Sequence, residues 1–143
     1  MEATFSIEGS LEHDGDGVVS LRLALNNGEF AASTSVWADC GCHLKLVAAL
    51  SGFPASPSSI VNFSFGVPRS GSCELEFICL DSLGHLGLWA TFSSTYAASR
   101  TDRYQSAQLF MRCNPSDVDA FVAAVSRFMP GEPNRAVLCG VGA

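Results

Sequence analysis

Asp39-Cys40-Gly41-Cys42-His43-Leu44-Lys45-Leu46-Val47-Ala48-Ala49-Leu50-Ser51-Gly52-Phe53-Pro54 lines up without a gap on Asn114-Pro115-Ser116-Asp117-Val118-Asp119-Ala120-Phe121-Val122-Ala123-Ala124-Val125-Ser126-Arg127-Phe128-Met129. Val, Ala, Ala, Ser and Phe recur in the same places. Each copy opens on a residue whose side-chain oxygen can cap the free amides of a first helical turn. Each also follows an alternating, strand-like run, Phe30 to Trp37 in one case and Gln105 to Arg112 in the other. The pattern predicts a strand-then-helix framework used twice, with helices near residues 39–52 and 115–129.

The helix boundaries have separate signals. Gly52 can take the left-handed conformation that ends a helix, and Pro54 blocks its resumption. In the second copy Asn114 as cap and Pro115 at the first helical position form the strongest start signal in the chain. Val118, Phe121, Val122, Val125 and Phe128 then mark one helical face.

Working outward, the remaining segments read as strands. Phe5 and Ile7 alternate with polar Ser6 and Glu8. Val19, Leu21, Leu23 and Leu25 fall on one side and Ser20, Arg22, Ala24 and Asn26 on the other, the period of two of a half-buried strand. Asn26-Asn27-Gly28 supplies a tight turn. Pro54 to Ser59 is a connector, Ile60 to Phe65 alternates again, and Cys73 to Leu80 with Leu86 to Phe92 form a hairpin about Asp81-Ser82-Leu83-Gly84-His85. Ser93 to Arg103 is polar and reads as a long hairpin arm or a loop. Because the strands are mostly hairpin neighbours, the expected fold is α+β: an antiparallel sheet of six or seven strands with two helices packed on one face. Residues 1–130 are expected to form one domain, and residues 131–143 a loosely held tail.

Of the 143 residues, 48% are hydrophobic and only 15% charged, which excludes a disordered chain of high charge. No apolar run reaches the roughly 20 residues that span a bilayer. The opening Met1-Glu2-Ala3-Thr4-Phe5 has neither the basic region nor the apolar stretch of a secretion signal, so a cytoplasmic location and six free thiols are expected. Eight basic against fourteen acidic residues give a net charge of −6, which disfavours nucleic acid and favours a basic partner.

Few residues remain with chemistry to assign. Cys40-Gly41-Cys42-His43 has metal-ligating atoms, but no second Cys or His pair at short spacing completes a tetrahedral set. No metal or cofactor is therefore expected. A thiol made acidic at a helix start, Cys40 or Cys42 with His43 or His85 as base, describes a small thiol- or His-dependent enzyme. No third catalytic residue accompanies it. Asp81 and His85 can meet across a turn that itself needs an Asp and a Gly. Glu74 and Glu76 share the polar side of one strand, where they suit a basic partner better than acid–base work. Mean hydropathy of +0.25 leaves Trp37, Trp89 and Phe92 as candidates for an exposed apolar patch, the basis for a self-associating structural protein or homodimer.

With these elements placed, the run from Ser20 to Pro130 resembles the wall-associated-protein immunity family (WapI-like) and related uncharacterised bacterial families. The likeness lies in Gly28-Glu29-Phe30 entering a strand, Ala48-Ala49-Leu50-Ser51-Gly52-Phe53-Pro54 closing a helix, Asp81-Ser82-Leu83-Gly84-His85-Leu86 at a hairpin, and a last strand leading into Asp117 to Phe128. This chain departs from the family in its Pro54–Ser59 connector, its serine-rich stretch at Ser93 to Ser99 and its cysteine count. The resemblance implies a small bacterial, non-enzymatic protein that neutralises a toxin by binding it in the cytoplasm, without assigning contact residues. From the residues themselves, the partner-binding candidates are Trp37, Glu74, Glu76, Asp81, His85 and Trp89.

Overall fold

The computed structural model describes residues 1–11, 15–67, 71–94 and 104–142. Within them the chain runs β1 (Glu2–Gly9), β2 (Val18–Asn26), β3 (Ala31–Asp39), α1 (Cys42–Leu50), β4 (Ile60–Gly66), β5 (Ser72–Cys79), β6 (Leu86–Ser94), β7 (Gln105–Cys113), α2 (Pro115–Ser126) and β8 (Asn134–Val141). The fold is α+β, and the strands form one antiparallel sheet in the order β3-β2-β1-β8-β7-β6-β5-β4. Part of the segment from Ser93 to Arg103 falls in β6, and residues 95–103 lie outside the described residues. No described helix is long and apolar enough to cross a membrane.

The strand count is eight rather than six or seven, and the extra strand is β8, in the segment expected to be a loose tail. It pairs with β1 from Glu2↔Val141 to Gly9↔Asn134. Its inward residues include only two apolar core side chains, Ala136 and Leu138, too few to stand out as a period of two. What holds it in place is the open edge of β1. Asn134, which is buried, secures the turn into it: Met129 N donates to Asn134 Oδ1 at 2.8 Å, and Asn134 Nδ2 donates to the Met129 carbonyl at 2.9 Å.

Alternation decides which side of each strand is dry. Val19, Leu21, Leu23 and Leu25 of β2 are buried, as are Cys73, Leu75 and Phe77 of β5 and Leu86, Leu88, Ala90 and Phe92 of β6, all in a common core. Phe92 is therefore core and not part of an exposed patch. The β2–β3 turn is built by asparagine: Asn26 Oδ1 accepts from Gly28 N, and Asn27 Oδ1 accepts from Glu29 N and Phe30 N.

The sheet folds over on itself. β3 crosses the ends of the strands at the far edge: Thr34 Oγ1 donates to the Ser93 carbonyl at 3.3 Å, and a Cβ added to Gly66 would stand 3.1 Å from the Val36 side chain. Between β7 and β8 the described register consists of the single pair Arg112↔Val141. There Gly140 lies so close to the Arg112 carbonyl that a side chain would collide with it.

Both helices pack into the core and against each other. Phe121 of α2 meets Phe5 edge-on at 5.9 Å, and Phe53, just beyond α1, meets Phe77 at 6.2 Å. In α2 the expected start holds, with Asn114 N donating to Asp117 Oδ2 at 2.8 Å in a capping box and Pro115 as the first residue. In α1 it does not. Asp39 is still in β3, paired with Val18, and the helix begins at Cys42 behind Gly41 with no side-chain cap. Ladder pairing prevails over a capping preference. Both helices also end earlier than expected, at Leu50 and Ser126. Aligned as in the sequence, four buried positions coincide, His43 with Val118, Leu46 with Phe121, Leu50 with Val125 and Phe53 with Phe128, whereas buried Cys42 falls on half-buried Asp117.

Candidate interaction face

Register decides what stands on the solvent side of β5, β6 and β7. Glu76 is opposite Trp89, and Trp89 is opposite Phe110, so one row across three strands reads carboxylate, indole, phenyl. The Trp89 and Phe110 rings lie 4.9 Å apart at an interplanar angle of 46°. Gly87 makes room for this pair, since a Cβ there would sit 2.7 Å from the Phe110 ring. The next row places Glu74 beside Thr91 and Thr91 beside Gln108, with Gln108 Nε2 donating to Thr91 Oγ1 at 3.3 Å. Glu74 and Glu76 are exposed, and Trp89 keeps 37% of its surface in solvent. A large aromatic held in place by a second ring and flanked by carboxylates is the kind of surface on which protein partners anchor.

Asp81 and His85 do meet, in the turn that joins β5 to β6. His85 Nδ1 lies 2.6 Å from Asp81 Oδ2, while Asp81 Oδ1 accepts from Leu83 N at 2.8 Å and from His85 N at 3.3 Å. The hydrogen bond from His85 holds the Asp81 carboxyl below its ordinary range. All these bonds shape the turn, and the pair is exposed.

Five of the six expected residues, Glu74, Glu76, Asp81, His85 and Trp89, thus belong to the β5–β6 hairpin. Trp37 stands apart. It is 68% exposed near the end of β3 and lines a cleft of about 500 Å³ between β3 and β4 with Phe63 and Val67, which none of the other five joins.

A second cleft, of about 460 Å³, opens where β7 and β8 diverge and is lined by His85, Arg112, Asp117, Cys113 and Cys139 among others. Sequence reasoning missed Arg112 and Cys139 here because both depend on β8 being a strand. Burial pushes the Cys113 thiol up to about 12, helped by the Asp117 charge. Asp117 already caps α2. Among the described residues neither thiol is hydrogen-bonded to His85.

The Cys42–His43 pair lies elsewhere, at the start of α1. Burial raises the Cys42 thiol pKa, the opposite of what a nucleophile needs. His43 is 5% exposed, stacks on Phe128 at 5.8 Å and has no hydrogen-bond partner at Nδ1. Its pKa is lowered by burial, so it is a neutral ring between two helices. No group of three His, Cys, Asp or Glu suited to a metal ion occurs among the described residues. No protein-family model, curated protein or solved structure matches the chain.

Proposed function

We propose that the protein is a non-enzymatic binding protein of the immunity type, one that neutralises a basic toxin in the bacterial cytoplasm by direct contact through the solvent face of β5–β7. The observation that carries this reading is the row Glu76–Trp89–Phe110. An indole left partly in water and held rigid by a supporting ring is the kind of side chain on which protein interfaces anchor. The charge of −6 and the carboxylates of Glu74 and Glu76 steer a basic partner toward that face, as for a nuclease toxin. The motif likeness to the WapI-like family supports the same class of function. The common element order βββαβ and the matching buried helix positions lead us to infer further that the two halves are copies of one unit.

The test is co-expression with the polymorphic toxin encoded beside the gene, followed by pull-down. The proposal expects growth rescue by the wild-type chain and loss of both rescue and complex with Glu74→Lys/Glu76→Lys. If the wild-type chain neither rescues growth nor forms a complex, the proposal fails.

A further inference from the structure

The solvent side of the sheet carries glutamate in two different settings. On β1, Glu8 stands between Arg22 of β2 and Arg135 of β8 in the cross-strand register, 3.8 Å from one guanidinium and 3.6 Å from the other. Its charge is answered within the chain. On β5, Glu76 has Asn62 on one side and Trp89 on the other. Where the first row sets an arginine beside the carboxylate, this one sets an indole. Among the described residues no cation lies within ion-pair distance of Glu76, or of Glu74 two residues away, and none stacks on Trp89. Arg112, two residues beyond Phe110 on β7, lines the cleft between β7 and β8 instead.

The row Asn62–Glu76–Trp89–Phe110 has the parts of a receptor for one kind of side chain. Directly opposed residues of an antiparallel pair hold their Cβ atoms about 4.5–5.5 Å apart, so the Glu76 carboxylate and the indole are within reach of a single group. Phe110 occupies the β7 side of the indole, with ring centroids 4.9 Å apart. It steadies the ring without covering it, since Trp89 remains partly in solvent. Of the aromatic side chains, Trp presents the best face to a cation held within about 6 Å. A guanidinium is planar, stacks on such a face and carries its donors in a fork that matches a carboxylate, whereas an ammonium is a compact, strongly hydrated point charge with neither property.

We infer that Trp89 and Glu76 form an arginine receptor, in which a partner's guanidinium stacks on the indole and donates hydrogen bonds to the carboxylate. The inference rests on the function proposed above in taking the occupant from a basic protein, and it narrows that protein to one that presents an exposed arginine rather than a lysine. Glu74, exposed on the same side of β5, adds attraction at longer range.

The test needs no toxin. The full chain, labelled with nitrogen-15, is titrated at fixed ionic strength with the acetylated and amidated tripeptides Gly-Arg-Gly and Gly-Lys-Gly. The indole N–H resonances of the two tryptophans are followed and assigned with Trp37→Phe. The arginine peptide is expected to shift the Trp89 resonance saturably, with dissociation on the order of 1–10 mM, and the lysine peptide to bind about fivefold more weakly. Glu76→Gln, at an exposed position, is expected to keep the fold and to weaken arginine binding about fivefold, whereas Glu8→Gln leaves it unchanged. A Trp89 resonance that does not saturate, equal affinity for the two peptides, or an affinity unmoved by Glu76→Gln overturns the inference. Toxin binding alongside any of those results refutes the arginine receptor and keeps the neutralising function; arginine binding without a toxin complex does the reverse.

Discussion

His43 offers a perturbation whose sign and size follow from its surroundings. The ring is 5% exposed between α1 and Phe128 of the segment after α2, with Nδ1 unpartnered. Burial lowers its pKa, and the nearby Cys40 backbone pulls more weakly the other way. In the unfolded chain the imidazole takes up a proton near pH 6.5, whereas in the folded chain it resists protonation. The unfolded state therefore binds more protons as pH falls through 6.5, and stability declines until the folded ring is itself protonated. The slope is at most about 1.4 kcal/mol per pH unit from this group alone. His43→Leu removes the titration and the unpaired buried nitrogen, at the loss of the stacking contact. At pH 7.5 it is expected to be neutral or stabilising by about 1 kcal/mol, and between pH 6.5 and 5.5 it should lose less stability than wild type. Urea unfolding of both proteins at several pH values in this range reads the difference directly. A wild-type slope identical to that of the variant, or stability rising on acidification through this group, refutes the reasoning.

Two further outcomes are expected. Asn134→Ala removes both side-chain bonds to the Met129 backbone; a loss of about 1–2 kcal/mol in urea unfolding, with amide exchange accelerated first in β8, is expected. In a thiol-labelling time course at neutral pH, exposed Cys139 should react well before Cys73 and Cys113, which are buried with raised pKa values.

Much of this architecture was legible before any coordinates. The alternation Val19 to Leu25 specified the buried side of β2, and Asn114-Pro115 marked the start of α2 to the residue. Asp39 misled because a capping residue was read without its partner: Val18 pairs with it and extends β3. β8 was hidden because Ala136 and Leu138 are its only core apolar residues and because its stability comes from β1, remote in sequence. The same omission hid the cleft around Arg112 and Cys139. On the interaction face, Glu74, Glu76 and Trp89 were visible as residue types, but the row they form with Phe110 needs the register of β5, β6 and β7. A shift of one residue would have turned Trp89 inward.

The most direct test of the central claim is a calorimetric titration of the toxin domain proposed as its partner into wild-type protein and into Trp89→Ala, with folding of the variant verified by circular dichroism. Wild-type protein is expected to bind, and the variant to lose about 2 kcal/mol or more, a thirtyfold or greater weakening. Equal affinities for two folded proteins would show that the Glu76–Trp89–Phe110 row is not the binding face.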